Sequence, residues 1–150
     1  MIGATEDGYS WRPALEDAAS HIRLLHLPAA TSQSNEIRVS LTTFPLKDAP
    51  KFQALSYCWR SPFPDEHPET PSYHEAESGQ WTINCNNYKV NSTRNLYEAL
   101  QKLAILCPDS YLWNDVTCIN QQDLDEVNVQ VAMMGQIYAA ASRVIIWLGK

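Results

Sequence analysis

The sequence predicts an α/β fold in three layers, with parallel strands at the centre of the sheet. Three observations carry that expectation. The stretch Tyr111 to Gly149 reads as a strand-like run (Tyr111 to Ile119), a polar turn (Asn120 to Asp123), a helical pattern (Leu124 to Ala141) and a second strand-like run (Arg143 to Leu148). That is the order of a parallel βαβ unit. The run QALSYCW (Gln53 to Trp59) has little room for solvent and suits a central strand covered on both faces. Leu96, Ala99, Leu100, Leu103 and Cys107 recur at three- and four-residue steps, giving a helix with one apolar face to lay on such a sheet.

Taken in order, residues 1–20 are weakly patterned and predict an N-terminal arm or cap, with Pro13 opening a short helix through Ala14 to Ala19. The remainder, 21–150, reads as one α/β domain. HIRLLHL (His21 to Leu27) ends at Pro28 and reads as a strand. EIRVSLTTF (Glu36 to Phe44) alternates Ile37, Val39 and Leu41 against Arg38, Ser40 and Thr42, a half-buried strand. The two are expected to form an antiparallel hairpin at the sheet margin. Residues 60–80 hold four prolines and five acids against one base, a Pro-rich acidic loop. His67 and His74 in that loop lack the partner spacing of a metal site, so no metal is expected. Trp81 to Cys85 and Tyr88 to Val90 flank Asn86-Asn87, a two-residue turn for an inserted hairpin. Ser92 or Thr93 caps the helix that runs to about Cys107 and stops at Pro108.

The net charge of −6 argues against a nucleic-acid binder or a basic membrane-surface protein. The start MIGATEDGYSW has neither the basic nor the apolar stretch of a secretory signal, and no run suits a membrane span. With four cysteines scattered among apolar neighbours and no CxxC, reduced, mostly buried thiols and a cytoplasmic location are expected. A domain boundary directly after a strand is unusual, so the chain is expected to be a fragment or one module of something longer, with the domain truncated after its last strand.

Ligands in parallel sheets bind beyond the carboxyl ends of the strands. Three such ends, Cys58-Trp59-Arg60, Asp115 to Gln121 and Trp147 to Gly149, should meet on one edge. The candidate ligand or loop-site residues there are Trp59, Asp115, Asn120, Gln121, Glu126 and Gln130. Each has a structural alternative. Asp123 and Glu126 fit a capping box, with Glu126 reaching back to the cap backbone. Gln130, on the apolar helix face with Val127, Val131, Met134, Ile137 and Tyr138, must be hydrogen-bonded and would brace the Asn120-Gln121 loop. Asp115 near the end of a buried strand is costly unless paired or near solvent, so it serves either a ligand or the loop. Trp59, Trp113 and Trp147 suit core packing. Cys118 has no histidine nearby in sequence and reads as a core thiol rather than a nucleophile. GxGxxG, GKS/T, HExxH and GxSxG are all absent.

The runs ALSYCW (Ala54 to Trp59), NLYEAL (Asn95 to Leu100), LWNDVTCINQQD (Leu112 to Asp123) and QVAMMGQIYAAASRVIIWLG (Gln130 to Gly149) resemble the heterokaryon-incompatibility (HET) domain, a fungal module linked to non-self recognition and programmed cell death. The resemblance implies a signalling module that acts through self-association or protein partners. It carries Ser56, Tyr57, Trp59, Asp115, Cys118, Ile119, Asn120, Gln121, Glu126, Gln130, Tyr138, Trp147, Leu148 and Gly149 over from the family pattern. Three positions depart from it: Arg60 for a glycine, Asn114 for an apolar residue on an interior face, and Val127 for a basic residue. HET domains are also distantly similar to Toll/interleukin-1 receptor (TIR) domains, which implies a flavodoxin-like sheet. Some TIR domains cleave NAD with a glutamate on the helix after the last strand seen here. That analogy makes NAD a substrate rather than a cofactor, and puts the catalytic acid beyond residue 150.

Overall fold

The computed structural model describes residues 11–30, 36–57 and 81–149. Trp59, Cys58, Arg60 and the 60–80 loop lie outside them. The chain runs β1 (His21–Leu27), β2 (Arg38–Pro45), a 3-10 turn (Leu46–Asp48), β3 (Phe52–Tyr57), β4 (Thr82–Cys85), β5 (Tyr88–Asn91), α1 (Arg94–Leu106), β6 (Ser110–Trp113), α2 (Asp115–Cys118), α3 (Leu124–Ala140) and β7 (Arg143–Trp147). The strands form one seven-stranded sheet in the order β5-β4-β2-β1-β6-β3-β7.

Parallel pairing covers β6–β3, β3–β7 and β2–β4, while β1–β2, β1–β6 and β4–β5 are antiparallel. The β1–β2 pair is thus antiparallel as expected, but it occupies the middle of the sheet and not its margin. The burial of β1 explains the placement. Ile22, Arg23, Leu24 and Leu25 are all buried, so both faces of the strand are covered. In β2, Val39 and Leu41 point inward between exposed Arg38, Ser40 and Thr42, the period-2 alternation read from the sequence. The β4–β5 hairpin turns on Asn86 (φ 52°) and Asn87 (φ 67°), the left-handed pair that two-residue hairpins need.

Helices cover both faces around β3. Trp147 Nε1 donates to Asn95 Oδ1 at 2.8 Å, which sets α1 against β7 on one face. Tyr138 of α3 lies beside Ser56 and packs edge-on against Trp113, with ring centroids 5.6 Å apart. Ser56 is opposite Ile146 and Tyr57 is opposite Trp147, so the Ser56 side faces α3 and the next register position faces α1. Thr93 caps α1 by accepting from the Leu96 N–H at 3.1 Å, and Leu96, Ala99, Leu100 and Leu103 are its buried face.

Three local expectations are corrected. Trp11 (4% exposed) and Arg12 (8%) are core residues rather than parts of a peripheral arm. Pro13 opens no helix; Asp17 closes a turn there, accepting from the Ala19 N–H and from Ser20 Oγ, each at 3.0 Å. The strand expected over Tyr111 to Ile119 stops at Trp113, because Asn114 turns its side chain onto the Thr117 N–H and starts a helical turn. No helix among the described residues is long and apolar enough to cross a membrane.

Candidate functional site

The ends of β6 and β3 lie side by side, with β7 on the far side of β3, so the predicted convergence of strand ends is present for Trp113, Tyr57 and Trp147. The segment that leaves β6 is held bond by bond. Asn114 Oδ1 accepts from the Thr117 N–H at 2.9 Å, and Asp115 Oδ1 accepts from the Val116 N–H at 2.9 Å. The Cys118 and Ile119 N–H groups donate to the Asn114 and Asp115 carbonyls at 3.0 and 3.1 Å. The Asn120 N–H donates to Glu126 Oε2.

The carbonyls of so short a helix have few intrahelical partners, and here side chains supply the donors. Arg12 Nη2 and Nε reach the Val116 and Thr117 carbonyls at 3.1 and 2.9 Å. Arg23 Nη1 reaches the Cys118 carbonyl at 3.0 Å. Gln121 Nε2 bridges the Asp115 and Ile119 carbonyls at 3.0 and 3.4 Å. Every backbone N–H from Val116 to Asn120 and every carbonyl from Asp115 to Ile119 therefore has a partner, which fixes the loop's shape before any ligand arrives.

Arg23 and Glu126 anchor this loop to the core. They form a buried two-pronged ion pair, with Nη1–Oε2 at 2.9 Å and Nη2–Oε1 at 2.8 Å. Arg23 Nε also donates to the Pro13 carbonyl at 2.6 Å. The capping box is consequently only half formed. Asp123 caps α3 by accepting from the Glu126 N–H at 3.2 Å, but the Glu126 carboxylate goes to Arg23 and Asn120 instead of to the cap backbone. Burying the Glu126 carboxylate also rotates α3. Its inward face is Glu126, Gln130, Met133 and Ile137, and Val131 is 52% exposed.

Asp115, Asn120, Gln121 and Glu126 are thus brought together, with Asn120 Oδ1 accepting from the Gln122 N–H at 3.2 Å. Gln130 is not part of that cluster. Its Nε2 donates to the Ala18 and His21 carbonyls at 2.6 and 2.9 Å, so it braces the entry to β1 and not the Asn120-Gln121 loop. Asn114, one of the departures from the family pattern, is fully buried and acts as the cap rather than sitting as an amide on a strand face. Sequence reasoning missed Arg12, Arg23 and the capping role of Asn114. The available signal was one lone cation in the apolar strand HIRLLHL and one lone anion near the start of an otherwise uncharged helix face.

What the loop leaves unpaired is informative, because buried polar groups without partners are rare. Among the described residues Gln53 Oε1, Trp81 Nε1, Glu98 Oε2 and Gln130 Oε1 are buried without a hydrogen bond, and so are three donors close to the loop, Tyr57 Oη, Trp113 Nε1 and Asn114 Nδ2. The three donors stand at the ends of β3 and β6. Burial first, then the Asp115 charge, then Cys118, push the Tyr57 phenol well above its ordinary range. Burial and then Asp115 raise Tyr138, against the opposing effect of Ser56 beside it. Both phenols stay protonated at neutral pH, so the edge offers three unused donors near one carboxylate. The described clefts lie elsewhere. One of about 1040 Å³ runs between Ser20, Leu46, Phe52 and Met133, and one of about 310 Å³ sits at Phe52, Ser110 and Ser142, both at the starting ends of the parallel strands. No group of three or more metal-binding side chains occurs among the described residues.

With the loop closed, Cys118 is buried and a poor nucleophile near neutral pH. Burial lifts its thiol from 9.0 to about 12, partly opposed by a backbone hydrogen bond at Asn114 and by Arg23 and Arg12. Burial lifts Cys85 from 9.0 to about 12 as well, whereas Cys107, expected among the buried thiols, is half-buried and accepts from Arg143 Nη2 at 3.0 Å. A raised folded pKa means the thiols ionise more readily in the unfolded chain. Their contribution to stability is complete below pH 9.0 and is lost as pH climbs towards about 12. Circular dichroism at rising pH is expected to show stability falling across that window, with a shallower fall in Cys85→Ala/Cys118→Ala.

The profile of the family described as "Heterokaryon incompatibility protein (HET)" matches residues 52–150. The Neurospora crassa protein "Heterokaryon incompatibility protein 6, OR allele" is 33% identical over 141 residues, covering 91% of this chain and 20% of that protein. The chain therefore spans about a fifth of the length of this relative. No solved structure matches it.

Proposed function

The chain belongs to the heterokaryon incompatibility (HET) family, and from that membership we propose that it is a signalling module of fungal non-self recognition. It acts in the cytoplasm, through self-association or a protein partner, in a pathway that ends in programmed cell death. The observation that carries this reading is the family match itself, which spans the whole loop from Asn114 to Gln130 and all three parallel strand ends. The fixed shape of the loop supports a recognition role, because a preorganised surface loses little entropy on binding. In this reading Asn120, Gln121 and Glu126 shape the loop, Asp115 presents its carboxylate, and Gln130 acts at a distance through β1.

Inducible expression in fungal hyphae tests it. Wild-type chain is expected to lower viability, and Asp115→Ala is expected to abolish the effect while leaving the urea midpoint within about 1 kcal/mol of wild type, as for a half-exposed polar site. A wild-type chain that leaves hyphae fully viable would sink the proposal.

The unpaired donors favour a second reading. Tyr57 Oη, Trp113 Nε1 and Asn114 Nδ2 beside Asp115 suit a polar ligand at the ends of parallel strands. That would fit a TIR-like, flavodoxin-related enzyme that cleaves NAD, with its catalytic acid beyond residue 150. A carboxylate near the breaking bond would stabilise the positive charge that develops as nicotinamide leaves. Protein extended past Lys150 and incubated with NAD is the test. Nicotinamide release no greater than a heat-killed control, with hyphal killing retained, removes this reading and leaves the first intact.

A further inference from the structure

We propose that residues 11–20 form a latch on the Asp115–Gln121 loop, seated by Trp11 and closed by Arg12 as the positioning residue. The segment precedes the family match at residue 52 and contributes no strand or helix. None of its residues pairs in the seven-stranded sheet. It is nevertheless bound tightly and at named points. The Trp11 side chain is buried, its carbonyl accepts from Asn86 Nδ2 at 2.9 Å, and its ring lies 4.2 Å from the Arg12 guanidinium carbon.

Arg12 then supplies the donors for two consecutive loop carbonyls, Val116 at 3.1 Å and Thr117 at 2.9 Å. These are carbonyls of a four-residue helix whose other supports, Arg23 and Gln121, serve Asp115, Cys118 and Ile119. No second donor to Val116 or Thr117 stands in for Arg12 among the described residues. The latch is also held under electrostatic tension. Arg12 lies close enough to Arg23 to be repelled by it, and burial followed by that repulsion lowers the Arg12 pKa to about 10. A contact that is strong in hydrogen bonds yet opposed by a like charge is suited to release. Whatever displaces Trp11 withdraws Arg12 and frees the loop while the sheet stays whole. This coupling holds whether the loop binds a protein partner or a small molecule.

Amide hydrogen exchange and iodoacetamide labelling on the full chain, read by peptide mapping, test the latch. In Arg12→Ala, exchange at Val116 to Asn120 and alkylation of Cys118 are expected to rise about 10- to 100-fold, the worth of charge-assisted hydrogen bonds lost from a local opening. Amides of β1 and β3 are expected to keep wild-type protection. Arg12→Lys, which keeps the charge but loses the fork, is expected to fall between Arg12→Ala and wild type. Trp11→Ala is expected to reproduce Arg12→Ala in the loop. Unchanged loop exchange and Cys118 labelling in Arg12→Ala would overturn the latch. So would equal loss of protection in β1 and β3, since Arg12 would then be an ordinary core support.

Discussion

Glu126→Ala is expected to destabilise the fold by about 3–5 kcal/mol, the cost of breaking a buried ion pair from one side. That is a large part of the roughly 5–15 kcal/mol that separates a folded domain from its unfolded chain. Arg23 is 2% exposed and would keep its charge with no other carboxylate paired to it among the described residues, while the Asn120 N–H would lose its acceptor. Arg12 adds to the loss, since Glu126 is one of the groups that favour its charged form. Glu126→Gln retains an acceptor and is expected to lose less. Replacing both partners, Arg23→Met with Glu126→Met, is expected to recover much of the deficit, because the stranded charge is gone. Recovery would stay incomplete, since the Cys118 and Pro13 carbonyls would lose the Arg23 donors. Urea unfolding of the four proteins measures this. A loss below about 1 kcal/mol for Glu126→Ala would place the pair in water-like surroundings.

The periodic parts of the fold and the parallel grouping of β3, β6 and β7 were legible in the sequence, and the place of β1 and β2 in the sheet was not. Alternation in EIRVSLTTF, the three-and-four spacing of α1 and the Asn-Asn turn each reflect short-range geometry, and each element formed where its pattern lay. The position of β1 at mid-sheet depends on which strands it meets, information that no local period contains. Its near-continuous apolar run was the available clue, since a strand covered on both faces loses its alternation. The overlong strand from Tyr111 failed at one atom, the Asn114 side-chain oxygen, which competes with extended backbone by capping Thr117. Asp115, Asn120, Gln121 and Glu126 are close in sequence and share one loop, yet the partner that ties Glu126 to the core lies 103 residues away in Arg23. A D-x-x-E spacing fits a capping box, but a buried guanidinium is a stronger partner for the carboxylate than a cap N–H.

Trp113 separates packing from recognition at the same edge. Trp113→Ala is expected to cost about 3–5 kcal/mol, as for other fully buried aromatics. The side chain is 0% exposed, and its loss empties the space against Tyr138. Trp113→Phe keeps an aromatic ring there and gives up no hydrogen bond, because Nε1 has no partner. Its cost should be confined to a smaller ring, about 1–2 kcal/mol, within the range of large-to-small core changes. The indole N–H has then been removed with the fold nearly intact. If that donor exists to meet a ligand at the strand ends, hyphal killing should disappear in Trp113→Phe while the urea midpoint barely moves. Killing at the wild-type level in Trp113→Phe would reduce the unpaired Nε1 to a packing compromise, and the case for a ligand at this edge would then rest on Tyr57, Asn114 and Asp115 alone.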